Sequence, residues 1–228
     1  MRNTLLWRAT KAVFVREVRS EMRSRQALNA VALFAVCSIV AVSIGLGPLN
    51  RSAELPLIHA ALLWIVLLFA AFTALARVFV VEEEQRTAAA LRLAAPAHAV
   101  YLGKLLFNVV LLVALTLLVA VLAIVLLRMQ VKAPAAFAVM LAAGSLGLVT
   151  GTTLIAAIIA RASSRSTLFA VLSFPLLIPL LVTAVRGTAL ALAGAGWDRC
   201  LAPIQTMLAY AVAMFVTSLF LFATVWED

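Results

Sequence analysis

The sequence predicts an all-α membrane protein with six transmembrane helices, forming a single domain over residues 1–228. Its residues are 66% hydrophobic and have a mean hydropathy of +1.16, whereas a soluble domain is typically about half apolar. A helix needs about 20 apolar residues to cross roughly 30 Å of hydrocarbon. Runs of this length, without the alternation of barrel strands, cover residues 27–46, 57–81, 105–127, 135–160, 167–185 and 201–225.

Positive charges are distributed unevenly between the two sides that six crossings would create. Lys and Arg in short loops collect on the cytoplasmic side of a membrane protein. The richer side also receives both chain ends, so we expect cytoplasmic N- and C-termini. The richer side has Arg2, Arg8, Lys11, Arg16, Arg19, Arg23, Arg25, Arg77, Arg86, Arg92, Lys104, Arg161 and Arg165, and the other side has Arg51, Arg128, Lys132, Arg186 and Arg199.

Residues 1–26, before the first apolar run, have the pattern of an amphipathic helix. An apolar arc beside a basic arc is typical of a helix that lies in the headgroup layer of a membrane. The alternative is a basic leader that only orients the first span. The apolar arc contains Trp7, Phe14, Val15, Val18 and Met22, and the basic arc contains Arg8, Arg16, Arg19 and Arg23.

Residues 82–104 form the most polar link between two spans. Glu82, Glu83 and Glu84 suit the start of a helix, where acids interact favourably with the positive end of the helix dipole. The stretch TAAALRLAA then has high helix propensity, and Pro96 ends it. The pattern predicts a short cytoplasmic helix along the membrane that a soluble partner contacts through these acids, Arg86 and Arg92. A plain polar hairpin is the alternative.

Two further motifs concern the packing of the predicted spans. Pro175 and Pro179 lie four residues apart and each removes a backbone donor, which predicts a kinked helix. Gly144, Gly147 and Gly151 lie on one predicted helix, and small residues at this spacing allow a second helix to approach closely.

Residues that would carry chemistry are scarce in this sequence. No G-x-x-x-x-G-K-[ST] phosphate loop is present, so the chain is not expected to be an ATPase or another enzyme. The two histidines are predicted at opposite membrane faces, and no metal-ligand spacing occurs. His59, predicted outside, is a candidate to meet a haem iron or a polar substrate, and the alternative is a histidine that only lies at the interface. Trp197, also outside, is a candidate for a residue near haem or for a plain interfacial anchor. No acid lies within a predicted span, which argues against a proton-coupled carrier.

Three stretches of the sequence resemble the haem exporter protein CcmB family. They are FVREVRSEMRSRQALNAVALF, LARVFVVEEEQRTAAALRLAAPAHAVYLGKLLFN and LSFPLLIPLLVTAV. The resemblance covers nearly the whole length and implies the transmembrane permease subunit of an ABC-type complex for cytochrome c maturation. It also implies an ABC-2-like permease in the bacterial inner membrane, whose coupling helix at residues 82–96 fits a groove on the ATPase subunit.

The resemblance further implies which partners supply the chemistry. A CcmA-like subunit would bind and hydrolyse ATP, and CcmC-like and CcmD-like membrane subunits would complete a complex with two copies of the permease. ATP use would drive release of a haem-loaded CcmE-like chaperone on the periplasmic side. The chain itself would bind no cofactor, since haem is held by the partner subunits.

Two alternatives share most of these sequence features. A generic ABC-2-type exporter permease for a lipid, a polysaccharide or a drug would have the same spans, N-terminal helix and coupling loop. A non-transporting membrane scaffold would have the spans but would not retain an ATPase.

Overall fold

The chain is entirely helical throughout the part that its computed structural model describes. That part comprises residues 2–24, 26–45, 54–75, 96–159 and 165–227, and it contains seven helices and no strand. The all-α prediction is therefore confirmed. The helices are α1 (Arg2–Ser24), α2 (Gln26–Gly45), α3 (Leu55–Leu75), α4 (Ala97–Leu126), α5 (Pro134–Ile159), α6 (Arg165–Ala193) and α7 (Trp197–Glu227).

Five of these helices are long and apolar enough to cross a membrane. A sixth, α2, contributes an apolar stretch at Asn29–Gly45 that is shorter than the other five. Five of the six predicted spans thus coincide with helices that could cross a membrane, and a crossing by α2 stays a prediction. The five candidate spans are Leu55–Ala74, Ala97–Leu126, Pro134–Ala156, Leu172–Ala193 and Trp197–Leu221.

Two helix boundaries differ from the sequence prediction by eight residues. Helix α4 begins at Ala97, so the last part of the predicted loop 82–104 is helical rather than an approach to a span that starts at residue 105. The extended backbone of Pro96, with φ −65° and ψ 147°, marks this start. Helix α6 continues to Ala193, past the predicted end at residue 185. Its last turns are stabilised by packing, because Ala191 and Leu192 are buried.

Helix α5 occupies the centre of the helix assembly. In the most apolar stretch of α5, 78% of the residues are buried, against 22% in the corresponding stretch of α7. Helix α5 packs against α3, α4, α6 and α7. Between α4 and α5 the hydroxyls of Thr116 and Ser145 lie 3.0 Å apart, in a hydrogen bond. Since lipid is as apolar as a leucine side chain, such bonds and close packing drive helix association within a membrane.

The helices define two ends of the assembly. At one end, which we call the α1 end, α1 contacts the first turns of α4. At the other end, the far end, Ser43 near the end of α2 donates a hydrogen bond of 2.8 Å to the carbonyl oxygen of Leu126 at the end of α4. The backbone N–H of Ala133, just before α5, donates to the carbonyl oxygen of Ala191 near the end of α6 at 3.1 Å.

Candidate coupling site where α1 docks on α4

A glycine in the second turn of α4 allows α1 to approach closely. A Cβ atom placed on Gly103 would lie 2.7 Å from the Cβ of Val13 and 2.9 Å from the carbonyl oxygen of Thr10. Both distances are shorter than van der Waals contact allows. Thr10 and Val13 are themselves buried, so the backbones of α1 and α4 meet here without an intervening side chain.

A buried ion pair joins the two helices beside this contact. The Nζ of Lys104 lies 3.2 Å from Oε1 of Glu17, with Lys104 fully buried and the side chain of Glu17 only 14% exposed. A buried ammonium group is very costly unless it is paired and hydrogen-bonded. Glu17 therefore makes it possible for α4 to run unbroken through Lys104, where the sequence alone suggested a loop.

Sequence reasoning treated Lys104 as a loop cation and did not single out Glu17. The usable signal was weak, because Glu17 is one of two acids in a helix that is otherwise strongly basic. An acid in such a helix suggests a specific basic partner. The partner, Lys104, lies 87 residues away in the chain, so the local sequence around Glu17 does not identify it.

Polar side chains continue along the inner face of α4 beyond the ion pair. Asn108, one helical turn after Lys104, donates from Nδ2 to Oγ1 of Thr153 on α5 at 2.8 Å. Both residues are fully buried, and Oδ1 of Asn108 has no hydrogen-bond partner among the residues that the structure describes. On the other side of Lys104, Tyr101 faces Ser218 of α7. At the α1 end, α4 therefore makes polar contacts with α1, α5 and α7 in turn.

The apolar arc predicted for α1 is not the face that contacts α4. Phe14 and Val18 are half-buried at its edge, whereas Trp7 is 67% and Met22 is 56% exposed. The docked face instead centres on Thr10, Val13 and Glu17, a mixed set that hydrophobic periodicity does not reveal. The predicted basic arc is exposed at Arg8, Arg16, Arg19 and Arg23. Its location in the headgroup layer stays a prediction.

The residues predicted to contact an ATPase lie outside the described residues. The nearest described position is Pro96, immediately before α4. Their role stays a prediction, and the set comprises Glu82, Glu83, Glu84, Arg86 and Arg92.

The predicted packing glycines lie on α5 against large side chains of two neighbouring helices. A Cβ on Gly144 would overlap the ring of Trp64 on α3, a Cβ on Gly147 would lie 2.6 Å from Leu180, and one on Gly151 would lie 2.8 Å from Leu177. The last two contacts join α5 to α6. Trp64 is held in place by a 2.9 Å hydrogen bond from its Nε1 to Oγ1 of Thr188 on α6.

The two prolines lie within α6, in the segment that packs on these glycines. Both Pro175 and Pro179 are exposed, whereas Leu177 and Leu180 of the same helix are buried toward α5. Beside them the Tyr210 hydroxyl of α7 donates to the carbonyl oxygen of Leu176 at 3.0 Å. The structure thus brings the glycine motif and the proline motif together at one junction of α5, α6 and α7.

The two candidates for haem proximity lie near the far end, away from the α1–α4 contact. His59, in the second turn of α3, is only 4% exposed, and Trp197, the first residue of α7, is 50% exposed. Among the described residues no group of three or more His, Cys, Asp or Glu side chains could hold a metal ion. A role of either residue near haem stays a prediction.

Comparison with known protein families decides what kind of membrane protein this is. The family model described as CcmB protein matches residues 8–227, which is nearly the whole chain. The chain belongs to the CcmB family. CcmB proteins are membrane permease subunits of the haem export system of cytochrome c maturation, and they are generally not enzymes. No curated protein matches this CcmB chain.

Proposed function

We propose that this CcmB chain couples ATP hydrolysis by a separate CcmA-like subunit to release of a haem-loaded CcmE-like chaperone on the periplasmic side. The complex contains two copies of the chain with CcmC-like and CcmD-like subunits, in the bacterial inner membrane with cytoplasmic termini. ATP is bound by the CcmA-like subunit, and haem is held by partner subunits.

The observation that carries this proposal is the contact of α1 with α4 directly after the predicted coupling segment. Residues 82–96 lead into Ala97, and the contact at Gly103 and Lys104 follows within two turns of α4. A force applied to the coupling segment therefore reaches α4 and α1 together, because the close backbone contact and the ion pair make them move as one unit.

The proposed mechanism uses no reaction on this chain. Closure of the ATPase around ATP displaces the coupling segment, whose charges at Glu82–Glu84, Arg86 and Arg92 contact the ATPase. Helices α1 and α4 follow this displacement, and α2, α3 and α6 tilt, which changes the surface at the far end. The exposed prolines of α6 support such a tilt, since neither has a backbone N–H to donate within the helix.

A release assay in membranes tests the proposal. Membranes that contain the CcmA-, CcmC-, CcmD- and CcmE-like partners are supplied with ATP, and the haem-loaded chaperone that leaves the complex is quantified. We expect release with the wild-type chain and reduced release with Gly103→Ala, which forces α1 away from α4. Gly45→Ala is the matched control, because a Cβ there meets nothing within 4 Å. Release that is independent of ATP, or equal release from both variants, would refute the coupling route.

A further inference from the structure

Contact with α4 leaves two neighbouring faces of α1 uncovered. One exposes the apolar side chains of Trp7 and Met22, which are 67% and 56% exposed. The other, which we call the basic face, consists of the exposed side chains of Arg8, Lys11, Arg16 and Arg19. Glu17, the acid that binds Lys104, lies on the docked face rather than among these cations.

The cations of the basic face lie close to one another along the surface of α1. Arg8 and Lys11 are three positions apart, as are Arg16 and Arg19, so each pair shares one side of the helix, with Lys11 next to Trp7 and Met22. The four cations border an open depression of about 520 Å³. Its lining residues are Arg8, Lys11, Ala12, Val15, Arg16 and Arg19.

The chemistry of this face selects its ligand. Arg8, Lys11 and Arg19 carry like charges along one helix, and a bound anion offsets their repulsion. The apolar side chains next to them favour an apolar environment, because moving the exposed side chains of Trp7 and Met22 out of water lowers the free energy. A ligand with a phosphate group attached to hydrocarbon satisfies both faces. A free anion or an acidic protein surface satisfies only the basic one.

The location of α1 agrees with such a ligand. Helix α4, on which α1 docks, is a candidate span that begins at Ala97, so the contact at Gly103 lies near the point where α4 enters the membrane. A helix held at this level has its side chains at the depth of the lipid headgroups, where tryptophan is favoured.

We propose that the basic face of α1 binds the phosphate groups of anionic phospholipids while Trp7 and Met22 insert among the upper acyl carbons. Arg8, Lys11 and Arg19 donate to phosphate oxygens, and the lipid holds the helix at a fixed depth. The position of α1, and through Glu17 that of α4, is then sensitive to the anionic lipid content of the membrane. This inference requires a membrane-embedded chain but not a partner ATPase.

Photolabelling of the chain alone in lipid nanodiscs tests the proposal. The nanodiscs consist of phosphatidylcholine with a trace of photoactivatable phosphatidylglycerol or, in parallel, photoactivatable phosphatidylcholine, and labelled peptides are mapped by mass spectrometry. Each cation near an anionic surface contributes enough attraction that we expect α1 to be labelled at least about tenfold more by phosphatidylglycerol. High salt should reduce the preference.

Two variants with the same change in net charge decide the outcome. Arg8→Gln/Lys11→Gln/Arg19→Gln should abolish the preference of α1 for phosphatidylglycerol. Lys132→Gln/Arg186→Gln/Arg199→Gln, which alters three exposed cations on other elements, should preserve it. Equal labelling by the two lipids, or an unchanged preference in the first variant, would overturn the proposal. Equal labelling in the nanodiscs, combined with loss of the ATPase when the first variant is purified from native membranes, would instead assign the basic face to an acidic protein surface.

The result is independent of the proposed function. The nanodiscs contain no ATPase or chaperone, so a failed preference leaves ATP-dependent release untouched. Conversely, release that needs no ATP would leave the lipid preference of α1 standing.

Discussion

Glu17 and Lys104, which are 87 residues apart in the sequence, form a buried ion pair that fastens α1 to α4 at 3.2 Å. Breaking such a pair is costly because one charge stays buried without its partner, whereas replacing both residues by apolar ones is often neutral or stabilising. The pair is therefore better understood as a device that fixes the position of α1 than as a source of net stability.

Removing one member of the pair should destabilise the protein far more than removing both. We expect Glu17→Gln to lower the free energy of unfolding by about 3 kcal/mol, because the Lys104 ammonium then lacks its counter-charge. Glu17→Leu/Lys104→Met should recover most of that loss. Thermal unfolding in detergent measures both effects, with Glu54→Gln, an exposed acid at the far end, as control. Similar losses in the single and the double variant would contradict this interpretation of the pair.

The close approach at Gly103 should depend on the missing Cβ atom. In Gly103→Ala the new methyl group would meet Val13 and the backbone of Thr10, so α1 has to move away. We expect a cysteine placed at Val13 to react with a water-soluble maleimide at least several-fold faster in the Gly103→Ala background. In the Gly45→Ala background its reaction rate should not change. A cysteine that stays protected in both backgrounds would show that the contact tolerates a methyl group.

The stability that the hydrogen bond between α3 and α6 contributes should depend on the hydroxyl group of Thr188 and not on the size of that side chain. Thr188→Val leaves the buried Trp64 Nε1 without its acceptor, which costs about 1–3 kcal/mol of stability. Thr188→Ser keeps the hydroxyl and should lose markedly less. Thermal unfolding of the two variants in the same detergent distinguishes these cases, and equal losses would mean that the methyl group of Thr188 is the important part.

The polar contact between α4 and α5 should give a measurable coupling energy. A double-mutant cycle with Asn108→Leu and Thr153→Val isolates their hydrogen bond of 2.8 Å. Within membranes such bonds average about 0.6 kcal/mol, so we expect a coupling of that order. Thr217→Val, at an exposed position of α7 whose hydroxyl bonds only its own helix, should leave stability almost unchanged. A coupling energy of zero would show that the bond contributes nothing.

Hydropathy was enough to predict five of the candidate spans, because a run of about 20 apolar residues is typical of a helix that crosses a membrane. It misplaced the start of α4 for an equally physical reason. A window of hydropathy treats Lys104 as the end of an apolar run, whereas in the structure Glu17 compensates its charge. The compensating residue is distant in sequence, so no local pattern indicates it.

The glycines and the N-terminal helix show the same limit. The spacing of Gly147 and Gly151 predicts a close approach, but nothing local to α5 indicates that Leu180 and Leu177 of α6 fill the space. The periodicity of α1 separates an apolar arc from a basic one, but it does not show that α4 packs against a third face at Thr10 and Val13. Partners across helices are decided by tertiary packing, which a single helical pattern does not contain.

Co-purification of the ATPase tests the central claim, that a separate ATPase drives this permease through the predicted coupling segment at residues 82–96. A tagged chain is isolated from native membranes in mild detergent, and the ATPase recovered per chain is quantified. Wild type and Glu54→Lys/Asp198→Lys, which reverses two exposed acids at the far end, should retain a CcmA-like ATPase. Glu82→Lys/Glu83→Lys/Glu84→Lys should lose it by about tenfold or more, because like charges then face each other at the contact. Equal recovery from all three, or no ATPase with the wild type, would contradict the account.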